Sequence, residues 1–313
     1  MARRSRQLYS DAVTDYMTGS IDHLVLGAAS YQTDYQVLIR VYRGYGANSS
    51  NAVYIPPSEC RSDFADIRFA DTAGRLLPYW IETTGTNYAD IWVKLYQIPT
   101  TGAVVRVLFG GGAIGSGSSG SSTFLFFDDF EDAAVGAIWT ATGSVAESSG
   151  TMQCDSGESV ASVAAFGRAT ALRAKTKTTN SAGWSGAIAY GSGVPISGNY
   201  EAYAIGVFQN SFYWLHNNGS AYISNTSIGS ATTDTWYNLE FCLKSTGADG
   251  YFWQYGADRG AAAISEPAGT FVGKKLLIGG HNSAAKQYCD FIFLRSWISP
   301  EPSHGWWGSL EDL

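Results

Sequence analysis

Residues 63–82, DFADIRFADTAGRLLPYWIE, constrain the fold more than any other part of the chain. Ile67 and Phe69 alternate with Arg68 and Ala70, the period-2 pattern of a strand with one buried face. Asp71-Thr72-Ala73-Gly74 supplies a turn, because aspartate tolerates turn geometry and glycine adopts positive φ without steric cost. Leu76 to Glu82 reads as the returning strand, so the block predicts a β-hairpin. It holds no nucleophile with its base, no metal cluster and no phosphate loop, and therefore speaks for architecture before chemistry.

The same alternation recurs on both sides. Upstream and downstream of this block lie HLVLGAA, YQVLIRVYR, NAVYI, ADIWVKLYQ and AVVRVLFG, which with DIRFAD and LPYWIE make seven short runs divided by Gly, Asn, Pro and Asp. That spacing predicts a β-sandwich over residues 22–122. Residues 110–122, GGGAIGSGSSGSS, have the composition of a flexible linker. About twelve further runs, from TFLFFDDF to YCDFIFLRS, predict a two-sheet jelly roll over 123–302 with its first and last strands adjacent. Residues 1–21 are expected to form an arm, in which Leu8, Val13 and Met17 offer an apolar stripe to a neighbouring subunit and so a homo-oligomer. Residues 303–313 are expected to be a tail that carries Trp306 and Trp307 outside the sandwich as a docking patch.

Composition agrees with an all-β protein. Charged residues make up 15% and aromatics 14% of the 313 positions, and there are 36 glycines, as many tight turns require. The formal charge of -7 argues against a nucleic-acid partner, which needs a basic face for phosphate, and against a membrane surface. No apolar run approaches the ~20 residues that span a bilayer. The start, MARRSRQLYSDAV, lacks the apolar core of a signal peptide. Cys60, Cys154, Cys242 and Cys289 show no C-x-x-C spacing, which disfavours zinc and leaves buried thiols ahead of disulfides.

Three segments carry a family resemblance: SDFADIRFADTAGRLLPYWIE, ADIWVKLYQIP and TFLFFDDFED, supported by YQVLIRVYRGYG and AVYIPPSECRSDF. Over residues 31–129 they resemble an uncharacterised domain-of-unknown-function family of archaeal and bacterial surface proteins and phage-encoded proteins. Residues 127–302, opening on DDFED and closing on YCDFIFLRSWISPEPS, resemble a concanavalin A-like or laminin-G-like lectin domain. The resemblance implies two β-sandwich domains, the second a concanavalin A-like jelly roll, a surface setting and an ordered segment at 110–122; it implies no activity. A virion component, assembled inside the host and exposed on release, reconciles a surface setting with the missing leader. Virion surface is thus the expected location, with the cell surface as the alternative.

Candidate sites follow from residue chemistry. A sugar presents apolar C–H faces and many hydroxyls, so its site needs aromatic platforms beside amides and carboxylates. Trp184, Tyr190, Tyr213, Trp214, His216, Asn217 and Asn218 are the candidate carbohydrate-binding set, although each aromatic is equally at home in a core. Asp128, Asp129, Glu131 and Asp132 form an acidic run; the resemblance suggests that Asp129 and Glu131, with Asp290 from the closing strand, hold a structural calcium through hard oxygen ligands. Simple solvated carboxylates are the plainer reading. Arg173, Lys175 and Lys177 share one face of a strand by period 2, as a solvated face that blunts a sheet edge or as a groove for an acidic glycan. Trp236, Tyr237 and Trp253 read as core or edge packing. His23, His216, His281 and His304 are far apart, and none lies in a Ser-His-Asp pattern. The E-x-D-x-x-E strand of jelly-roll glycosidases is absent. The expected function is therefore non-enzymatic: a surface-assembly protein, tail fibre, receptor-binding or decoration subunit that adheres to glycan. A glycan-cleaving jelly roll using Asp129, Glu131 or Glu201 is the alternative, and a self-assembling filament subunit the third.

Overall fold

A computed structural model describes residues 17–27, 30–112, 114–179, 183–194, 198–267, 269, 272–281 and 286–313. The chain divides into two compact units, 1–125 with 299–313, and 126–298.

The first unit packs two four-stranded sheets. One has the order β23-β1-β7-β4, built from β1 (Gly19–Leu26), β4 (Arg68–Asp71), β7 (Ala103–Phe109) and β23 (Ser303–Asp312). The other has the order β3-β2-β6-β5, built from β2 (Gln32–Arg43), β3 (Ala52–Ile55), β5 (Tyr79–Thr84) and β6 (Tyr88–Ile98). Pairing is antiparallel except between β2 and β3. Tyr35, Val37, Ile39 and Val41 on β2 and Ile91, Val93 and Leu95 on β6 are buried, as period-2 alternation on a one-sided sheet requires.

The predicted hairpin forms only at its turn. Asp71 Oδ1 accepts from the Ala73 and Arg75 amides, and Gly74 sits at φ 80°. A single bridge joins Ala70 to Leu76, and then the strands part. β4 pairs with β7 in one sheet and β5 with β6 in the other. Pro78, at the crossing, has no N–H to extend a ladder. The alternation was legible, but sheet membership depends on partners distant in sequence.

Three further expectations meet the structure, and that of an ordered segment at 110–122 holds over that of a flexible linker. Residues 303–313 are not a free tail, because β23 pairs with β1 over Gly19–Leu26 and Trp307 stacks on His23 at 3.8 Å. Of its two tryptophans, Trp306 is the exposed one, at 53%. Of the arm expected over residues 1–21, residues 1–16 lie outside the described residues; Met17 is buried with Ala70 and Leu108, and Gly19 already belongs to β1, which shortens the arm from its inner end. The glycine-serine segment is pinned and not a free linker: Arg68 donates to the Gly115 carbonyl, Gly117 N–H to the Tyr79 hydroxyl and Ile81 N–H to Ser118 Oγ, before a single helical turn, α1 (Gly120–Thr123).

The second unit is a jelly roll of two antiparallel sheets. Its eight-stranded sheet contains β8 (Phe126–Asp128), β10 (Ala146–Glu147), β11 (Met152–Cys154), β13 (Thr170–Thr178), β18 (Tyr237–Leu243), β19 (Ala248–Gln254), β20 (Ile264–Glu266) and β22 (Gln287–Ser296). The seven-stranded sheet contains β9 (Trp139–Thr142), β12 (Ser159–Ser162), β14 (Trp184–Gly191), β15 (Glu201–Phe208), β16 (Ser211–Asn218), β17 (Tyr222–Ser230) and β21 (Lys275–Gly280). The expected neighbours meet, with β8 on β22. Leu172, Ala174, Leu239, Phe241, Ile292 and Leu294 from the first sheet pack on Ile188, Tyr190, Tyr203, Ile205 and Trp214 from the second. All four cysteines are buried free thiols; burial pushes Cys60 and Cys154 up to about 12. Among the described residues no helix is long and apolar enough to cross a membrane.

Candidate functional site

The candidate sugar set does not assemble. Consecutive strand residues point to opposite faces, so Trp214 and His216 on β16 enter the core while Tyr213 and Asn217 leave it. Trp214 is fully buried against Tyr203 and Phe241, and Tyr190 is buried with its hydroxyl donating to the Phe166 carbonyl. His216 is 2% exposed and lies 3.7 Å from Glu266. Burial lowers its pKa, with Glu266 opposing. Asn217 is buried, and Asn217 and Asn218 accept from the turn amides of Gly219, Ser220 and Ala221. Trp184 and Tyr213 alone pack together, with Phe208, over Ala187, Ala204 and Leu215 on the outer side of the seven-stranded sheet.

The calcium set also fails to meet. Asp290 is salt-bridged to Lys175 at 2.9 Å, Glu131 lies against Gly150, and among the described residues no three His, Cys, Asp or Glu side chains are arranged for a metal. The neighbouring Asp128 instead accepts from Trp139 Nε1 at 2.6 Å and from the Phe130 amide. Burial raises its pKa, against that tryptophan hydrogen bond. Of the proposed acids, Glu201 is tied to Lys274 at 2.5 Å.

The chemistry gathers on the outer side of the eight-stranded sheet. Leu172, Ala174, Leu239, Phe241 and Ile292 fill the inner side, and alternation then projects Arg173, Lys175, Asn238, Glu240, Tyr251, Trp253 and Phe293 outward. Strand register places Arg173 opposite Glu240 and Phe293, and Lys175 opposite Asn238 and Phe291. Glu240 is wholly buried, at 2.6 Å from Arg173, 3.1 Å from Arg295 and 3.2 Å from Arg259. Burial alone would raise its pKa; the three guanidiniums hold it well below the usual carboxylate range. A carboxylate fixed in the ionised state cannot serve as a general acid.

Beside this cage runs a strip of half-buried rings and lysines. Lys175 Nζ lies 3.9 Å from the Tyr255 ring centre and 5.1 Å from that of Trp236, and Lys177 Nζ lies 4.9 Å from Trp236 and 5.2 Å from Tyr288. Arg173 covers Trp253 at 4.8 Å and Arg259 covers Tyr251 at 3.8 Å. The edge-blunting reading of Arg173, Lys175 and Lys177 does not hold, because β13 is an interior strand between β22 and β18. The sequence showed their shared face but missed Trp236, Tyr255, Tyr288, Arg259 and Arg295, which come from separate segments. The polar positions of NLEFCL, Asn238 and Glu240 between buried Leu239 and Phe241, were the one signal that could have pointed outward.

Comparison with known proteins matches residues 63–142 to a domain of unknown function (DUF2341), well under half of the chain. No curated protein matches. Among solved structures, the chain is similar at 17% identity and TM-score 0.42 to one described with endo-acting O-glycanases of the human gut microbiota, over 56% of this chain and all of that one. The exoplasmic/lumenal domain of VIP36, bound to Ca2+ and Man3GlcNAc, is similar at 13% identity and TM-score 0.44, over 52% of this chain and 86% of that one. A pseudo beta-1,3-glucanase of Mycobacterium tuberculosis is similar at 15% identity and TM-score 0.44, over 56% and 99%. Likenesses this distant assign no activity.

Proposed function

We propose that the second unit is a non-enzymatic carbohydrate-binding module whose binding face is the outer side of the eight-stranded sheet, with Trp236, Tyr255 and Tyr288 as platforms. The observation that supports it is the juxtaposition of three half-buried rings, Tyr288 on β22, Trp236 just before β18 and Tyr255 just after β19, with two lysine donors on β13. Rings accept the C–H face of a sugar, and the ammonium groups donate to its oxygens. The acids favour binding over bond cleavage: Glu201 and Glu240 are held in ion pairs, whereas glycoside hydrolysis needs two carboxyl groups flanking one bond.

The same reading makes the chain an adhesive subunit of a surface assembly, on a virion or a cell. Its low charge, many glycines and resemblance to surface and phage proteins support that setting. Glycan-array screening followed by calorimetry tests the binding claim. Trp236→Ala should weaken the best ligand by about tenfold or more with an unchanged melting temperature. Absence of any glycan ligand, or an indifferent Trp236→Ala, defeats it.

A further inference from the structure

We infer that the ligand of this face is an anionic glycan, bearing carboxylate or sulfate groups, which Lys177 receives beside the ring of Trp236. The inference rests on the carbohydrate-binding reading and narrows its ligand class. The first ground is charge. On a chain with a formal charge of -7, the ion pairs and the Lys177 ring contact among the described residues of this face join six cations, Arg173, Lys175, Lys177, Lys244, Arg259 and Arg295, to three carboxylates, Glu240, Asp249 and Asp290. A positive patch on an acidic protein attracts anions.

The cations differ in what they have left to offer. Arg173 and Arg295 are buried and committed to Glu240. Lys175 divides its charge between Asp290 and the rings of Tyr255 and Trp236. Lys177 is half-buried, lies between Trp236 and Tyr288, and makes no ion pair among the described residues. It lies roughly 7 Å along the strand from Lys175, so the two ammonium groups repel until an anion sits near both.

The second ground is hydrogen-bond chemistry. A neutral sugar hydroxyl both donates and accepts, so its site needs acceptors as well as donors. Lysine only donates, the carboxylates on this face are engaged by Lys175, Lys244 and the three arginines, and the hydroxyls of Tyr255 and Tyr288, which can donate as well as accept, stand beside the two lysines. A ligand group that only accepts, carboxylate or sulfate, matches such a surface. Lysine suits it as a compact charge approached from several directions, where bidentate recognition would call for arginine.

The test titrates the full chain with an oligogalacturonate and with the same oligomer methyl-esterified, beside an array of neutral, uronate-bearing and sulfated glycans. Charged members should dominate, with affinity falling about tenfold or more as salt rises from about 50 to about 500 mM. Lys177→Gln should weaken binding by about tenfold, and Lys177→Arg should largely restore it. Equal binding of neutral and charged members, or a Lys177→Gln variant with unchanged affinity and salt dependence, overturns the anionic assignment and leaves carbohydrate binding standing. Failure of every glycan, charged or neutral, removes both.

Discussion

The two sandwiches bury polar side chains under opposite electrical conditions. In the first unit His23 is fully buried; its Nδ1–H donates to the Trp306 carbonyl at 3.2 Å, which leaves Nε2 to accept from His304 Nδ1–H at 2.9 Å. That arrangement works only with the His23 ring neutral, since a proton added at its Nε2 would set one N–H against another, and a charged His304 would place an uncompensated cation beside it. In the second unit Glu240 is equally buried but ionised, and three guanidiniums keep it so. One interior depends on the absence of charge, the other on its balance. A sandwich can carry buried polarity either way, and the choice decides which perturbation opens it.

Removing the balance should have the largest effect. Glu240→Ala leaves Arg173 and Arg295 buried without their anion, which typically costs about 3 to 5 kcal/mol, and should lower the melting temperature of the second unit alone. If the variant melts like the parent, the cage contributes little and the contrast collapses. Acid should act on the other unit. Burial, joined by the neighbouring imidazole, pushes His23 down to about 4, and burial pushes His304 to about 4, from an ordinary 6.5. With folded values below the unfolded one, stability is complete above pH 6.5 and is lost as pH falls from 6.5 towards 4. The first unit should therefore lose about 2 kcal/mol between pH 7 and pH 4.5. Glu240, with a depressed value of its own, begins to lose its contribution only below its ordinary 4.5. Calorimetry across this range should show one transition moving first. His23→Phe keeps a ring on Trp307 and should flatten that movement; an unchanged pH profile would mean that the pair is not the acid-sensitive element.

The unequal legibility of the two units has a physical basis. Strand positions show in period 2, and the long runs of β2, β6, β13 and β16 were readable at once. β10, β11 and β20, at two or three residues each, are too short to express a period. Pairing was hidden: nothing local to DIRFAD or LPYWIE says that they join different sheets, and nothing in SHGWWGSLED says that it returns to β1. The binding face was hidden for the same reason. Lys175 and Lys177 declare a shared side through their spacing, but Trp236, Tyr255 and Tyr288 reach them only through ladders among β13, β18, β19 and β22. The set around Trp214 and His216 misled because neighbours along a strand look like a cluster while facing apart. His23 and His304, 281 residues from each other, gave no sign of contact.

The smallest predicted effect sharpens the contrast from inside the second unit, where one buried acid lacks a cation. Glu147, on β10, is 9% exposed and belongs to no ion pair among the described residues. Burial, then the neighbouring Asp132 carboxyl, pushes its pKa up to about 7 from 4.5. Here the folded value exceeds the unfolded one, so stability is present below pH 4.5 and is lost as pH rises from 4.5 through 7, the reverse of the histidine pair. Glu147→Gln keeps the shape and abolishes the titration. It should leave the second unit about as stable as the parent at pH 4.5 and about 1 to 2 kcal/mol more stable at pH 8, as read from denaturant midpoints at the two pH values. An equal gain at both would trace the effect to packing and not to charge. A loss at pH 8 would mean that the ionised carboxylate is stabilised in place, and that this unit tolerates a buried anion even where no guanidinium stands beside it.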